Sequence, residues 1–114
     1  MKIYIYHNPR CRKSRAGLEM LKSKTEEFEI IEYLKSGIDA KTIIKLSKMI
    51  NIPVADMVRT QEEYFKKELK GRLFSTEEWA QIISENLKLL RRPIVVKGNK
   101  AVIVESVDDI EKLF

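Results

Sequence analysis

The chain is poor in the residues that would make a stapled or metal-built protein. It has one cysteine, Cys11, and one histidine, His7, among 114 residues. A single cysteine excludes an internal disulfide, and one Cys with one His excludes a four-ligand Cys/His zinc site, so no metal is expected. Prolines number three and glycines four, too few for a linker or low-complexity tract, and no repeat is present. No apolar run approaches the roughly 20 residues that span a bilayer, so no membrane association is expected. The opening Met1-Lys2-Ile3-Tyr4-Ile5-Tyr6-His7 lacks the apolar stretch and small-residue cleavage site of a signal peptide. The expectation is a cytoplasmic protein.

What is present suits one globular domain over residues 1–114. Hydrophobic residues make up 44% and charged residues 34%, a balance that supports a core and a solvated surface. The net charge of +5 is unevenly spread. Residues 1–24 hold seven basic residues against Glu19 alone, while the remaining ninety hold fifteen basic against sixteen acidic. The positive surplus therefore sits in the segment that contains Cys11. A field focused on a small anion or a thiolate explains it better than nucleic-acid binding, because no groove-reading motif accompanies the charge.

Periodicity gives the order of elements. Ile3 and Ile5 alternate with Tyr4 and Tyr6, a buried strand. Asn8-Pro9 marks a turn, and residues 12–23 carry a helical pattern with Leu18 and Leu21 on one face. Residues 27–33 alternate again, with Phe28 and Ile30 opposed to Glu27 and Glu29. This is a βαβ unit with a right-handed crossover. The middle is helical. Asp39 caps a helix with Ile43, Ile44, Leu46 and Ile50, Pro53 starts a short helical turn, and residues 61–69 form a further helix ended by Gly71. Ser75 and Glu78 form a capping box, and Trp79, Ile82, Ile83, Asn86, Leu87 and Leu90 continue at helical spacing as a core stripe. Residues 94–96 and 101–104 flank a Gly98-Asn99 hairpin turn, and Ser106 with Asp109 caps a last helix. The order β-α-β, helical insert at about 38–90, β-β-α is an α/β, thioredoxin-like arrangement with a mixed four-stranded sheet.

That order places Cys11 in the loop turning from the first strand into the first helix. Free backbone N–H groups and the helix dipole there stabilise a thiolate. Arg10, Arg12, Lys13 and Arg15 add positive charge, and the Ser14 hydroxyl, one turn on, is placed to donate to the sulfur. Cys11-Arg12-Lys13-Ser14 reads C-x-x-S, so an oxidised or adducted Cys11 must be resolved by an outside thiol. His7 is read either as a cation that lowers the thiol pKa or as a loop histidine with one backbone hydrogen bond. Pro93 opens the third strand, where the fold favours a cis bond beside the cysteine. Arg59, Arg91 and Arg92 are candidates for an oxyanion clamp, since guanidinium groups suit tetrahedral oxyanions.

These residues resemble a known family. Residues 5–15, Ile-Tyr-His-Asn-Pro-Arg-Cys-Arg-Lys-Ser-Arg, are similar to the active-site segment of the glutaredoxin-coupled arsenate reductase (ArsC) family. So are Glu32-Tyr33-Leu34, Val58-Arg59 before an acidic helix, and Leu90-Arg91-Arg92-Pro93-Ile94-Val95-Val96. The resemblance covers essentially the whole chain. It implies a bacterial cytoplasmic enzyme in which the Cys11 thiolate attacks arsenate, His7 and Ser14 tune the thiolate, and Arg59 and Arg92 hold the oxyanion. Glutathione is then a co-substrate and glutaredoxin a partner, with no bound cofactor. The family also includes Spx-type regulators that bind RNA polymerase, and that is the alternative reading. Arsenate reductases of this type carry a further arginine near the end of the hairpin's second strand. Here Val104 stands in that place, which implies slow arsenate turnover and an increase on Val104→Arg.

Overall fold

The computed structural model describes residues 2–114, which fall into two compact units: the residues up to Ser36 together with Arg92–Phe114, and Gly37–Arg91.

The first unit is built on a four-stranded mixed sheet. Its elements are β1 (Ile3–Tyr6), α1 (Arg12–Lys22), β2 (Glu29–Ile31), α2 (Tyr33–Ser36), β3 (Ile94–Lys97), β4 (Lys100–Ile103) and α5 (Val107–Glu111). The strand order is β2-β1-β3-β4. β1 runs parallel to β2 and antiparallel to β3, with Ile5 opposite both Ile30 and Val95. β3 and β4 form the hairpin, closed by Lys97 opposite Lys100. Gly98 has φ +63°, the positive value a two-residue hairpin turn needs at its first central position. The period-two pattern of β1 sends Ile3 and Ile5 to one face. There they pack with Leu21, Val95, Val104, Ile110 and Leu113 into a buried core. That alternation fixes the register, because a one-residue slip would exchange Ile for Tyr at the core.

β2 is shorter than the alternation over 27–33 suggests. It is an edge strand, Glu29 and Ile30 are exposed, and Tyr33 opens a helical turn with its own side chain fully buried. Burial of that ring pulls the chain out of the strand before Leu34.

The second unit is helical. α3 (Ala40–Ile50) begins at Asp39, whose carboxylate accepts the Thr42 N–H at 2.8 Å, and ends at Asn51, in the left-handed region at φ +69°. A 3-10 turn follows Pro53 over Val54–Met57. α4 (Thr76–Glu85) carries the full capping box: Glu78 N–H donates to Ser75 Oγ, and Ser75 N–H to Glu78 Oε1. α3 and α4 pack on each other, burying Ile43, Leu46, Ala80 and Ile83.

Two expectations change here. Residues 61–69 do not form a regular α-helix. Phe65–Leu69 is a wider π turn, with Lys70 N–H donating to Phe65 O. The stripe from Trp79 to Leu90 is also not one helix. α4 stops at Glu85, because Asn86 leaves helical φ/ψ and turns its side-chain amide back onto Ile82 O at 2.9 Å. Leu87–Leu89 is a separate 3-10 turn, and Leu89 and Leu90 are still buried.

Candidate functional site

The loop from β1 to α1 is organised from within. Its exit is fixed to β2, where His7 N–H donates to Ile31 O at 2.9 Å. Asn8 then folds the chain: its carbonyl accepts the Cys11 N–H at 3.0 Å and its side-chain oxygen accepts the Arg10 N–H at 3.1 Å. This is an Asx-type turn, the conformation the Asn-Pro pair favours. Arg15 Nη1 braces the outer side by donating to Pro9 O. Cys11 thereby becomes the N-cap of α1 in extended conformation, its carbonyl accepting the Arg15 N–H.

Cys11 is partly exposed. Burial is the largest single influence on its thiol and pushes the pKa up. Against it act a hydrogen bond from the Arg92 guanidinium, backbone N–H donation from Ser14 and Lys13, and the Arg92 charge, so the thiol lies below its ordinary value. Two backbone donors at a helix N-terminus and one guanidinium are what a thiolate needs for stabilisation. Arg92 reaches the sulfur from the start of β3, and the Arg92–Pro93 peptide bond is cis.

The structure corrects two roles assigned from sequence. The Ser14 hydroxyl is not turned to the sulfur. It is fully buried, accepts the Asn8 N–H at 2.9 Å and meets His7 Nδ1 at 2.7 Å, so Ser14 reaches Cys11 through its backbone N–H. His7 is not a cation beside the thiolate. It is only 5% exposed, and desolvation by burial lowers its pKa below 6.5 although Glu32 pulls the other way. A neutral imidazole holds the Ser14 hydroxyl and, through it, the loop.

Val104 is corrected as well. It is 2% exposed within the core of the first unit, with its N–H donating to Pro93 O. An arginine there would enter the core, so Val104 is not the place for an oxyanion ligand.

In the second unit Arg59 is held at both ends. Its N–H donates to Leu89 O at 2.7 Å beside the Val58–Leu90 bridge, and Nη1 donates to Glu62 Oε2 at 3.0 Å and to Lys88 O. Both side-chain contacts fall on Nη1, so the Nη2 and Nε donors lie outside them. The guanidinium geometry suits that edge to a bidentate oxyanion. Arg91 serves its own unit, donating to Asp56 O from Nη1 and to Met57 O from the backbone. Among the described residues no group of three His, Cys, Asp or Glu is placed to hold a metal ion. No helix among them is long and apolar enough to cross a membrane.

Sequence reasoning missed two contributors, although it read the Asn8-Pro9 turn correctly. Lys13 acts through its backbone N–H, which its charge conceals. Glu62 fixes Arg59, and the three-residue spacing between them was the signal there.

With this geometry described, comparison with known proteins identifies the chain's relatives. The ArsC family model matches residues 6–113. The uncharacterised protein YfgD of Escherichia coli K12 is 39% identical over 102 residues, covering 88% of this chain and 86% of that protein. An arsenate reductase of Haemophilus influenzae is 37% identical over 105 residues, covering 90% of each. Among solved structures, an arsenate reductase from Vibrio cholerae superposes with a TM-score of 0.92 at 28% identity, covering 100% of this chain and 98% of that one. The family match spans both the Cys11 loop and the Arg92–Pro93 strand, and the chain belongs to the ArsC family, on a thioredoxin-like fold.

Proposed function

We propose that the protein is an arsenate reductase that uses Cys11 as its nucleophile and draws electrons from glutathione and glutaredoxin. The observation that carries the reading is the set of donors on the Cys11 sulfur, namely the Arg92 guanidinium and the Lys13 and Ser14 backbone N–H groups. They favour the thiolate, the reactive form of the nucleophile, over the thiol. The arsenate reductase relatives support the substrate.

In the proposed reaction the Cys11 thiolate attacks the arsenic of arsenate, and one arsenate oxygen leaves as water. A glutathione thiol displaces a second oxygen, again as water, and bonds to arsenic. The glutaredoxin thiol then attacks the glutathione sulfur and forms a mixed disulfide. The electron pair of the broken arsenic–sulfur bond stays on arsenic, taking it from the pentavalent to the trivalent state. Hydrolysis of the Cys11–arsenic bond releases arsenite and restores the thiol. Arg92 supplies charge-assisted hydrogen bonds to the developing oxyanion, and the family resemblance alone proposes Arg59 as a further guanidinium ligand. No arginine follows Arg92 in the sequence, so part of the developing charge is uncompensated and turnover is slow. His7 acts as a positioning residue through Ser14.

The test is arsenate-dependent oxidation of glutathione in the presence of glutaredoxin. Wild type turns over and Cys11→Ser does not. Equal rates for the two proteins would refute the assignment.

A further inference from the structure

Gly17 lies one and a half turns into α1 on the side that faces the start of β3. A Cβ added there would overlap Pro93 Cγ outright, lie 3.1 Å from Pro93 Cδ and touch Val104 Cγ1 at 3.5 Å. Gly17 is buried and sits inside a helix, where glycine is about 1 kcal/mol worse than alanine. Helix propensity therefore does not explain its presence, and close approach does. Pro93 has little room to yield, because its carbonyl accepts the Val104 N–H at 2.9 Å and it is followed directly by the buried Ile94 and Val95 of β3. The residue before it, Arg92, carries the guanidinium whose hydrogen bonding and charge lower the Cys11 thiol pKa. Cys11 in turn caps the same helix that carries Gly17. The separation of α1 from Pro93 thus sets where Arg92 stands relative to the sulfur.

We propose that Gly17 is a positioning residue: its bare Cα seats the Pro93 ring against α1 and so holds the Arg92 guanidinium on the Cys11 sulfur. This rests on the reading of Cys11 as the nucleophile. Adding a methyl group at 17 forces α1 and Pro93 apart by about 1.2–1.7 Å to restore ordinary carbon–carbon contact. A misplacement of about 1 Å is enough to cost on the order of 100-fold in a positioned interaction.

The experiment follows the pH dependence of Cys11 alkylation by iodoacetamide, a readout that does not require arsenate turnover. In Gly17→Ala the midpoint moves up toward the free-cysteine value of about 8.5, and alkylation at pH 7 slows by at least several-fold. Ile110→Val, a truncation elsewhere in the same core, leaves the midpoint at the wild-type value although it lowers the melting temperature. In an Arg92→Ala background Gly17→Ala has no further effect, because the group through which it acts is gone. If Gly17→Ala does not fold, the pair Pro93→Ala and Gly17→Ala/Pro93→Ala replaces it. Without the ring, alanine at 17 leaves the midpoint unchanged. The proposal is overturned if folded Gly17→Ala keeps the wild-type midpoint, if Ile110→Val shifts it equally, or if the Gly17→Ala shift persists without Arg92 or without the Pro93 ring. A wild-type midpoint at or above about 8.5 would remove the Cys11 reading itself, before Gly17 is considered.

Discussion

Replacing Arg92 by alanine tests the electrostatics of Cys11 at its largest favourable contribution. The guanidinium acts twice on the sulfur, as a hydrogen-bond donor and as a charge. A hydrogen bond to a charged group contributes about 1.5–3 kcal/mol, and about 1.4 kcal/mol is tenfold in an equilibrium. The thiolate population at a pH below the midpoint therefore falls by roughly tenfold to a hundredfold. The Lys13 and Ser14 N–H groups remain in Arg92→Ala, but burial, which pushes the thiol up, is then opposed by them alone. The alkylation midpoint accordingly rises, while the rate constant of the fully ionised thiolate changes little. Iodoacetamide kinetics from pH 5 to 10, with circular dichroism to confirm folding, give both quantities. An unchanged midpoint in a folded Arg92→Ala protein would refute the claim that Arg92 holds the thiolate.

Other perturbations give equally distinct outcomes. His7 is held neutral by burial, with its pKa below 6.5, so the unfolded chain binds more protons than the native one as pH falls through that value. Stability is complete above about pH 6.5 and declines below it, and thermal melts of His7→Gln between pH 5 and 7 show a shallower slope than wild type. Val104→Arg places an unpaired charge in the core, so it lowers stability by several kcal/mol and does not raise arsenate turnover, as melts and the coupled assay together reveal. Glu62→Ala frees the Arg59 side chain, which is 18% exposed in the pair, and raises the arsenate KM in the same direction as Arg59→Ala; a lower KM would make Glu62 a competitor of the anion instead. Ser75→Ala removes the α4 capping box, at a cost of about 0.5–2 kcal/mol in a denaturant titration, and leaves Cys11 alkylation unchanged.

The features legible in the sequence were those fixed by near neighbours. The Ser75–Glu78 box, the Asp39 cap and the Gly98–Asn99 turn are each specified within four residues, and all three are present. The Ile3/Ile5 alternation fixed the core face of β1 for the same reason. Features set by through-space contacts were not legible. The break at Asn86 is concealed because Leu87 and Leu90 keep helical spacing after the helix has ended. His7 and Ser14 were read from sequence as tuning the thiol, but what they do depends on burial and on which atom faces the sulfur. The contact of Gly17 with Pro93 links residues 76 positions apart, and no local pattern records it. Arg92 was named as an oxyanion ligand. Its hydrogen bonding and charge on the Cys11 thiol were not legible in the sequence.

The central claim is that arsenic bonds to Cys11. The most direct measurement mixes the protein with arsenate and glutathione in the absence of glutaredoxin, removes free ligand by rapid gel filtration, and determines protein-bound arsenic by mass spectrometry. Wild type retains arsenic, Cys11→Ser retains none, and addition of glutaredoxin discharges the wild-type protein as arsenite. Arsenic retained equally by both proteins, or by neither, would contradict the account.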